Sequence, residues 1–213
     1  MNERETTKTA FGFLDRSPIY WNAKGYDLVM RLLQGERRFK ELGRVAELIE
    51  PGSSVVDLCC GTAKLYRDHL RHLSVDYMGL DANGHFIRFL KEIGINGRLF
   101  NVLEEVAVPA ADYITMCSSF YHFRNEEAVV LSKMIAAARK AVVISEPVRN
   151  LSQLRFEPLG RFFNWLTRPG VGTSEFRYSI DIFREFANHH GAAEVVYEDG
   201  GFNAIAVFRI EKK

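Results

Sequence analysis

The fold of this chain is decided by the stretch Val55-Val56-Asp57-Leu58-Cys59-Cys60-Gly61-Thr62-Ala63-Lys64-Leu65, together with Gly79-Leu80-Asp81 further on. In the first stretch, a short apolar run ends in an acid, turns through a loop of small residues and enters a predicted helix. A second apolar run ends in another acid, Asp81. Such a loop lets backbone N–H groups approach a nucleoside-type cofactor, and the second carboxylate can accept both ribose hydroxyls. The two acids therefore predict a cofactor site on an α/β fold.

Predicted strands and helices alternate outward from this stretch. Strands are predicted over residues 54–58, 75–80, 98–103, 112–117 and 141–145. Two N-terminal helices are predicted, one capped by Asp27 and a second over 39–49. Further helices are predicted over 63–72, from the cap Asn83 to Gly94, from the cap Asn125 to Arg139-Lys140, and over 179–190. Strands separated by helices of this length imply right-handed crossovers and a parallel sheet.

The C-terminal end departs from this alternation. Residues 194–197 and 202–210 are two predicted strands joined by the short turn Glu198-Asp199-Gly200-Gly201, which can make only an antiparallel hairpin. The expected fold is therefore α/β: a Rossmann-like three-layer sandwich with helices on both faces. Its seven-stranded, mostly parallel sheet has one antiparallel C-terminal strand.

Composition restricts the function classes. The 213 residues suit one domain, 1–213, and the 47% hydrophobic share is that of a globular chain. A net charge of +1 gives no support for a nucleic-acid partner. No apolar run is long enough for a membrane span and no leader opens the chain, so a cytoplasmic setting is expected. Cys59, Cys60 and Cys117 have the spacing of neither a disulfide framework nor a zinc site, and we expect no metal.

The order of elements and the motifs resemble the class I S-adenosylmethionine (SAM)-dependent methyltransferases over residues 36–210. The stretch 55–62 is similar to their first motif, and its double cysteine before Gly61-Thr62 resembles the quinone C-methyltransferases and their small-molecule relatives. Gly79-Leu80-Asp81 matches the end of their second strand. The closing hairpin resembles theirs, in which the last strand lies between two others. Nicotinamide dehydrogenases lack that hairpin and usually keep three loop glycines.

The resemblance implies SAM as cofactor, with S-adenosylhomocysteine (SAH) as product, and a set of cofactor-binding residues. The set is Asp57, Cys59, Cys60, Gly61, Thr62, Asp81, Ala82, Asn101, Val102 and Ser118. Asp57 would accept from the cofactor ammonium, and its alternative is a strand-end acid that bonds loop amides. Asp81 would bind the ribose diol, and its alternative is a cap of the following helix. Asn101 and Val102 would lie at the adenine edge, and Ser118 at the methionine part.

Three positions depart from the family pattern. Cys59 and Ala63 stand where the family often has glycine, and Asn101 stands where many members carry an aspartate. An amide oxygen can still accept the adenine amino hydrogen bond, with less charge assistance. These departures motivate the alternative of a catalytically degenerate methyltransferase fold that serves as a binding or regulatory module. A nicotinamide-dependent oxidoreductase is a third hypothesis, which the single loop glycine disfavours.

Catalytic candidates lie after the fourth and fifth strands, where ligands of such sheets bind. His122 is the natural general base by pKa, and Glu146 is a second candidate. The alternative for His122, within Phe120-Tyr121-His122-Phe123, is a packing role. A base is needed only if the acceptor must lose a proton.

The substrate side is expected from two segments, the N-terminal helical segment 1–50 and a long insert, 147–178, which together would form a lid. Long connections in compact domains are usually functional. The expected pocket residues are Tyr20, Trp21, Tyr121, Phe163, Arg177 and Tyr178. Other aromatics and arginines of the insert are Phe156, Phe162, Trp165, Arg149, Arg155, Arg161 and Arg168. The aromatics would line a pocket for an aromatic or lipophilic acceptor, and the arginines would meet an anionic group.

The insert has alternatives: a solvated amphipathic helix, a dimer interface or a membrane-surface face. The aromatics of both segments would equally suit packing of helices onto the core. The leading hypothesis is a small-molecule methyltransferase, monomeric or homodimeric.

Overall fold

A seven-stranded sheet lies at the centre of the part of the chain that the structure describes. The structure is a computed structural model, and it describes residues 23–148, 177–197 and 202–211. The strands are β1 (Ser54–Leu58), β2 (Asp76–Asp81), β3 (Gly97–Leu99), β4 (Ala111–Cys117), β5 (Ala138–Pro147), β6 (Glu194–Tyr197) and β7 (Asn203–Arg209). Their order is β3-β2-β1-β4-β5-β7-β6. Only β7 runs antiparallel to its neighbours in this sheet, which confirms the predicted fold class.

Helices cover both faces of the sheet. They are α1 (Ala23–Glu47), α2 (Gly84–Glu92), α3 (Glu127–Ala137) and α4 (Ile180–His189). One core cluster joins the sheet to α3 and α4, and a second joins it to α1 and α2. Successive side chains of a strand point to opposite faces of the sheet, so in β1 Val56 belongs to the first cluster and Val55 to the second.

Several boundaries differ from the sequence prediction. The two predicted N-terminal helices form one helix, α1, so Asp27 lies inside it instead of at its start; no proline interrupts the run. A regular helix predicted over 63–72 is replaced by a π turn at Tyr66–Leu70 and a 3₁₀ turn at Arg71–Leu73. Ala63 has a left-handed φ of 56°, which a right-handed helix cannot contain.

Two further corrections concern β3 and α3. The third strand ends at Leu99 instead of residue 103, since the Asn101 side chain accepts from Leu103 N at 3.1 Å and forms a turn. Asn125 does not cap α3: the cap position is Glu126, with no side-chain cap bond, after a 3₁₀ turn at Phe120–Phe123. Arg139 and Lys140, predicted to close that helix, already belong to β5, which pairs with β4 from Ala138 onward.

The topology places a ligand crevice between β1 and β4. From β1 the chain adds β2 and β3 on one side, whereas β4 and β5 lie on the other. Open parallel sheets bind ligands at the carboxyl ends of strands at such a switch point. The two motif acids, Asp57 in β1 and Asp81 at the end of β2, lie next to this crevice.

Candidate functional site

The loop after β1 has an unusual backbone. Cys59, Gly61 and Ala63 have φ values of 55°, 55° and 56°, all in the left-handed region. Glycine adopts this region without penalty, whereas other residues adopt it at a cost. The structure thus explains why glycine suits the positions of Cys59 and Ala63. Among the described residues, no atom lies within 4 Å of a Cβ built on Gly61, so none of them closes this side of the loop to a ligand.

Asp81 connects this loop to the end of β2. One carboxylate oxygen accepts from Gly61 N at 2.8 Å, and the other accepts from Asn83 N at 2.8 Å. Burial raises the pKa of Asp81 to about 6. A carboxylate has about four acceptor positions, so each oxygen can still accept a ligand hydroxyl. The cap of α2 is Asn83, whose side chain accepts from His85 N at 2.9 Å.

Asp57 is a buried acid with two hydroxyl donors. Its Oδ2 accepts from the Tyr77 hydroxyl and its Oδ1 from the Thr115 hydroxyl, each at 2.9 Å. Burial raises the pKa of Asp57 to about 6. The structure therefore shows hydroxyl partners in place of the loop amides that the sequence offered as an alternative. Its contact with a cofactor ammonium stays a prediction.

Gly79 allows the loop to lie close against β2. A Cβ at this position would lie 2.8 Å from Cys60 Sγ, 3.0 Å from Leu90 Cδ2 and 3.2 Å from the Tyr77 hydroxyl. Ordinary Cβ contacts are longer, so only glycine fits here without a shift. Through Tyr77 this close packing also supports Asp57.

The segment after β3 is held by a lysine that sequence reasoning missed. Lys133 of α3 donates to the carbonyls of Val102 and Glu105, each at 2.7 Å. Val102 is buried and Asn101 is partly exposed, and their predicted place at an adenine edge stays untested. Thr62 is buried, whereas Cys59, Cys60 and Ala82 are partly exposed. The pKa of each of the three cysteine thiols is raised by burial, which keeps them protonated.

A buried ion pair joins α1 to the carboxyl ends of β4 and β5. Arg38 donates to both oxygens of Glu41, at 2.9 and 3.0 Å, and also to the Ser118 hydroxyl. Glu41 additionally accepts from the Ser145 hydroxyl at 2.7 Å and is 2% exposed. Sequence reasoning predicted Ser118 as a cofactor contact but missed this network. Glu41 itself could have indicated the network, because this charged residue stands next to the buried Leu42 and one helical turn before the buried Val45.

The two catalytic candidates differ in exposure: Glu146 is buried, whereas His122 is partly exposed. Glu146 is 0% exposed; its Oε1 accepts from Phe120 N at 2.5 Å, and its Oε2 has no hydrogen-bond partner among the described residues. Burial raises the pKa of Glu146 to about 8. His122 has a buried Nδ1 that likewise lacks a partner within the described ranges, and burial lowers its pKa to about 3.

The predicted pocket residues fall into three groups. Tyr20, Trp21 and Phe163 lie outside the described residues. Tyr121 is brought next to His122, with ring centroids 3.8 Å apart, and the Arg177 guanidinium lies 3.9 Å from the Tyr121 ring centroid. Tyr178 is 2% exposed and donates to Glu127, so it contributes to the core as well. Its part in a substrate pocket stays a prediction, as does the lid.

Residues 23–148, 177–197 and 202–211 contain neither a metal-ligand cluster nor a membrane-spanning helix. No group of three metal-ligating side chains is present there. Nor is any helix in those residues both long and apolar enough to cross a bilayer.

Solved structures that share this fold, among them several methyltransferases, are similar to the chain at low sequence identity. The magnesium protoporphyrin IX methyltransferase of Synechocystis PCC 6803, with bound SAH, has a TM-score of 0.63 at 14% identity, over 90% of this chain and 97% of that one. DhpI, in a complex with SAM and HEP, has a TM-score of 0.64 at 15% identity, over 89% and 94%. The mitomycin 7-O-methyltransferase MmcR has a TM-score of 0.59 at 15% identity, over 90% of this chain and 59% of its own.

Sequence comparison provides the family. No curated protein matches the chain. The family model described as "Methionine biosynthesis protein MetW" matches residues 39–159, more than half of the chain and the whole region from the second half of α1 to beyond β5. The chain therefore belongs to the MetW family and has the class I SAM-dependent methyltransferase fold.

Proposed function

We propose that this protein transfers a methyl group from SAM to a small aromatic or lipophilic acceptor. The observation that carries the proposal is the Asp81 carboxylate, which accepts from Gly61 N at 2.8 Å beside the open side of the loop. These residues fit the cofactor, because the partly exposed carboxylate of Asp81 and the backbone of Gly61 lie together at the switch point of the sheet. The SAM-binding neighbours support this assignment through their shared fold.

Each residue of the site has a proposed binding role. Asp81 accepts from the ribose hydroxyls, and Asp57 accepts from the ammonium group. The open backbone at Gly61 lies against the cofactor, and Asn101 accepts from the adenine amino group. When bound, SAM supplies an electrophilic methyl group on a sulfonium. The protein's contribution is to align the acceptor with that methyl and to exclude water, which is worth several kcal/mol.

Asp81→Ala tests the ribose assignment. We expect SAH binding, measured by calorimetry, to weaken by about 1–3 kcal/mol, the value of hydrogen bonds to a charged acceptor. Asp112→Ala is the matched control: Asp112 also accepts from a backbone amide, Ser54 N at 2.9 Å, but at the amino ends of β1 and β4, opposite to the carboxyl ends where Asp81 lies. Asp112→Ala should leave SAH affinity unchanged. Equal SAH affinity in Asp81→Ala and the unmodified protein would reject the ribose assignment.

Two glycine substitutions separate backbone strain from ligand approach. Gly61 and Gly52 have φ values of 55° and 74°, and a Cβ at either would meet no atom of the described part of the chain within 4 Å. Gly61→Ala and Gly52→Ala should each lower the free energy of unfolding by about 1 kcal/mol, the cost of a left-handed alanine. Only Gly61→Ala should also weaken SAH binding, since its methyl would enter the open side of the loop. Urea unfolding and calorimetry together measure both effects, and a parallel loss of SAH binding in Gly52→Ala would contradict this reasoning.

A second candidate function is cofactor binding without methyl transfer, in a regulatory module. The left-handed backbone of Cys59 and Ala63 favours it, because both positions carry a strain that glycine would remove. This candidate predicts SAH binding together with the absence of transfer to any acceptor. Label transfer from SAM to a small molecule would reject it.

A further inference from the structure

The segment that follows β3 begins beside the ribose candidate, Asp81. Leu99 pairs with Asp81 in the sheet, and Phe100 N donates to the Asp81 carbonyl at 2.9 Å. Asn101 is therefore the second residue past the strand, at the edge of the sheet where parallel strands bind ligands. Its side chain is partly exposed. A nucleoside whose ribose lies on Asp81 would have its purine within reach of this segment.

A backbone amide fixes the orientation of the Asn101 side chain. Leu103 N donates to Asn101 Oδ1 at 3.1 Å, the contact of an Asx turn. Because a backbone N–H only donates, the atom that faces it is the amide oxygen, and the two ends of the amide are distinguished. The Asn101 carbonyl also accepts from Glu104 N and Glu105 N, at 3.1 and 2.9 Å. This closed turn uses one lone pair of Oδ1, and the described residues make no hydrogen bond to Nδ2.

Lys133 of α3 holds the same turn from the other side. Its ammonium donates to Val102 O and Glu105 O, each at 2.7 Å, and lies 3.5 Å from Leu103 O. Three carbonyls match the three N–H donors of a lysine. Val102 is buried in the core cluster that joins the sheet to α3 and α4. Lys133 is thus a positioning residue, which keeps the turn that carries Asn101 in one place.

An amide reads the edge of a purine differently from a carboxylate. Adenine has a donor, its 6-amino group, next to an acceptor, the ring nitrogen N1. Hypoxanthine has an acceptor, its 6-oxo group, next to a donor, the N1–H. The oxygen and the nitrogen of one amide complement either edge, whereas the oxygens of an ionised carboxylate only accept. An aspartate at position 101 would therefore repel a 6-oxo group, but the Asn101 amide can donate to it.

We propose that Asn101 sets the purine specificity of the cofactor site, and that its amide lets the site take a 6-oxo purine as well as adenine. This inference rests on the proposed function. Asn101 Oδ1 accepts from the 6-amino group of adenine or from the N1–H of hypoxanthine. Nδ2 donates to N1 of adenine or to the 6-oxo group of hypoxanthine. Leu103 N and Lys133 hold the amide so that both atoms stay at the purine edge.

Calorimetry with two ligands tests the proposal on the unmodified protein. The ligands are SAH and S-inosylhomocysteine, which is the same molecule with a 6-oxo group in place of the 6-amino group. We expect their dissociation constants to agree within about tenfold, since each ligand finds one donor and one acceptor on the amide. A larger preference for SAH overturns the proposal.

Asn101→Asp changes one atom of the side chain and supplies the second measurement. The variant keeps an oxygen for Leu103 N and removes only the Nδ2 donors. It should retain SAH binding and widen the preference for SAH over S-inosylhomocysteine by about tenfold or more. Asn188→Asp is the matched control, because Asn188 is exposed on α4 and the substitution adds the same charge. An unchanged preference in Asn101→Asp overturns the assignment of Asn101.

Lys133 is tested through the same ratio of affinities. In the Asn101→Asp background, Lys133→Met should narrow the preference for SAH, since the turn is then held less firmly against the purine. Lys140→Met is the control: Lys140 pairs with Glu50 at 2.5 Å near the amino end of β5 and should leave the ratio unchanged. A ratio that is the same with and without Lys133 would show that the lysine serves stability only, and would overturn its positioning role.

Failure of the proposed function has a different signature. Absence of SAH binding by the folded, unmodified protein overturns the methyltransferase proposal, and with it the purine assignment. SAH binding together with rejection of S-inosylhomocysteine leaves the methyltransferase proposal intact and overturns the purine assignment alone.

Discussion

Replacing Glu41 with alanine should lower the free energy of unfolding by about 3 kcal/mol. Glu41 accepts from Arg38 and from the buried Ser145 hydroxyl, and the variant would remove this charged acceptor from both donors. Removal of one partner from a buried ion pair typically costs about 3–5 kcal/mol, and the 20% exposure of Arg38 favours the lower end. Urea unfolding followed by circular dichroism measures the change.

The same helix supplies the control for this prediction. Arg44 and Glu47 form a pair of the same residue types and spacing, at 2.7 Å, but with 56% and 64% of their side chains exposed. Glu47→Ala should therefore cost no more than about 0.5 kcal/mol. Replacing the buried pair as a whole, by Arg38→Met with Glu41→Leu, should recover much of the loss, since no lone charge remains. Equal costs for Glu41→Ala and Glu47→Ala would show that the buried pair does not anchor α1.

Gly79→Ala is the second variant with a large expected effect, a loss of about 2–3 kcal/mol in the free energy of unfolding. The added methyl would lie 2.8 Å from Cys60 Sγ and 3.2 Å from the Tyr77 hydroxyl, which must move. Overpacking of this kind costs about 1–3 kcal/mol, and the displaced Tyr77 also weakens its hydrogen bond to Asp57. SAH affinity should fall together with stability, because the loop above β2 shifts.

Gly84→Ala provides the contrast. Gly84 begins α2, and a Cβ there would meet nothing within 4 Å. This variant should be neutral or stabilise the protein by up to about 1 kcal/mol, since alanine favours a helix over glycine. The midpoint of thermal unfolding should thus fall in Gly79→Ala and should not fall in Gly84→Ala. In the Gly79→Ala protein, Cys60→Ala should restore part of the stability by removing the nearest atom. Unchanged stability in Gly79→Ala would contradict the close packing described for this site.

The strands near the cofactor motifs could be predicted closely because their signals are local. Residues 54–58 form β1 as predicted, and Asn83, which was predicted to cap α2, accepts from His85 N. An apolar run bounded by turn residues, or a polar cap before an amphipathic stretch, depends on near neighbours only. The short turn after Tyr197 likewise allowed only a hairpin, and so predicted the antiparallel strand.

Predictions failed where distant contacts decided the outcome. Arg139 and Lys140 have the composition of a helix end, yet they extend β5 because its pairing with β4 begins at Ala138. Asn125 is a good cap residue, but the 3₁₀ turn at Phe120–Phe123, whose first amide donates to Glu146 of β5, sets the start of α3 beyond it. In both cases tertiary contacts outweighed a local preference.

The sequence by itself determined the fold class, the loop after β1 and the two acids, because strand periodicity and motif spacing are properties of adjacent residues. Only the tertiary structure decided how those residues are used. It brought Asp81 to the Gly61 amide, gave Asp57 two hydroxyl donors, and joined Glu41 of α1 to Ser145 of β5, 104 residues away. It also decided the protonation of Glu146 and His122, since burial of a titratable group depends on what the whole chain packs around it.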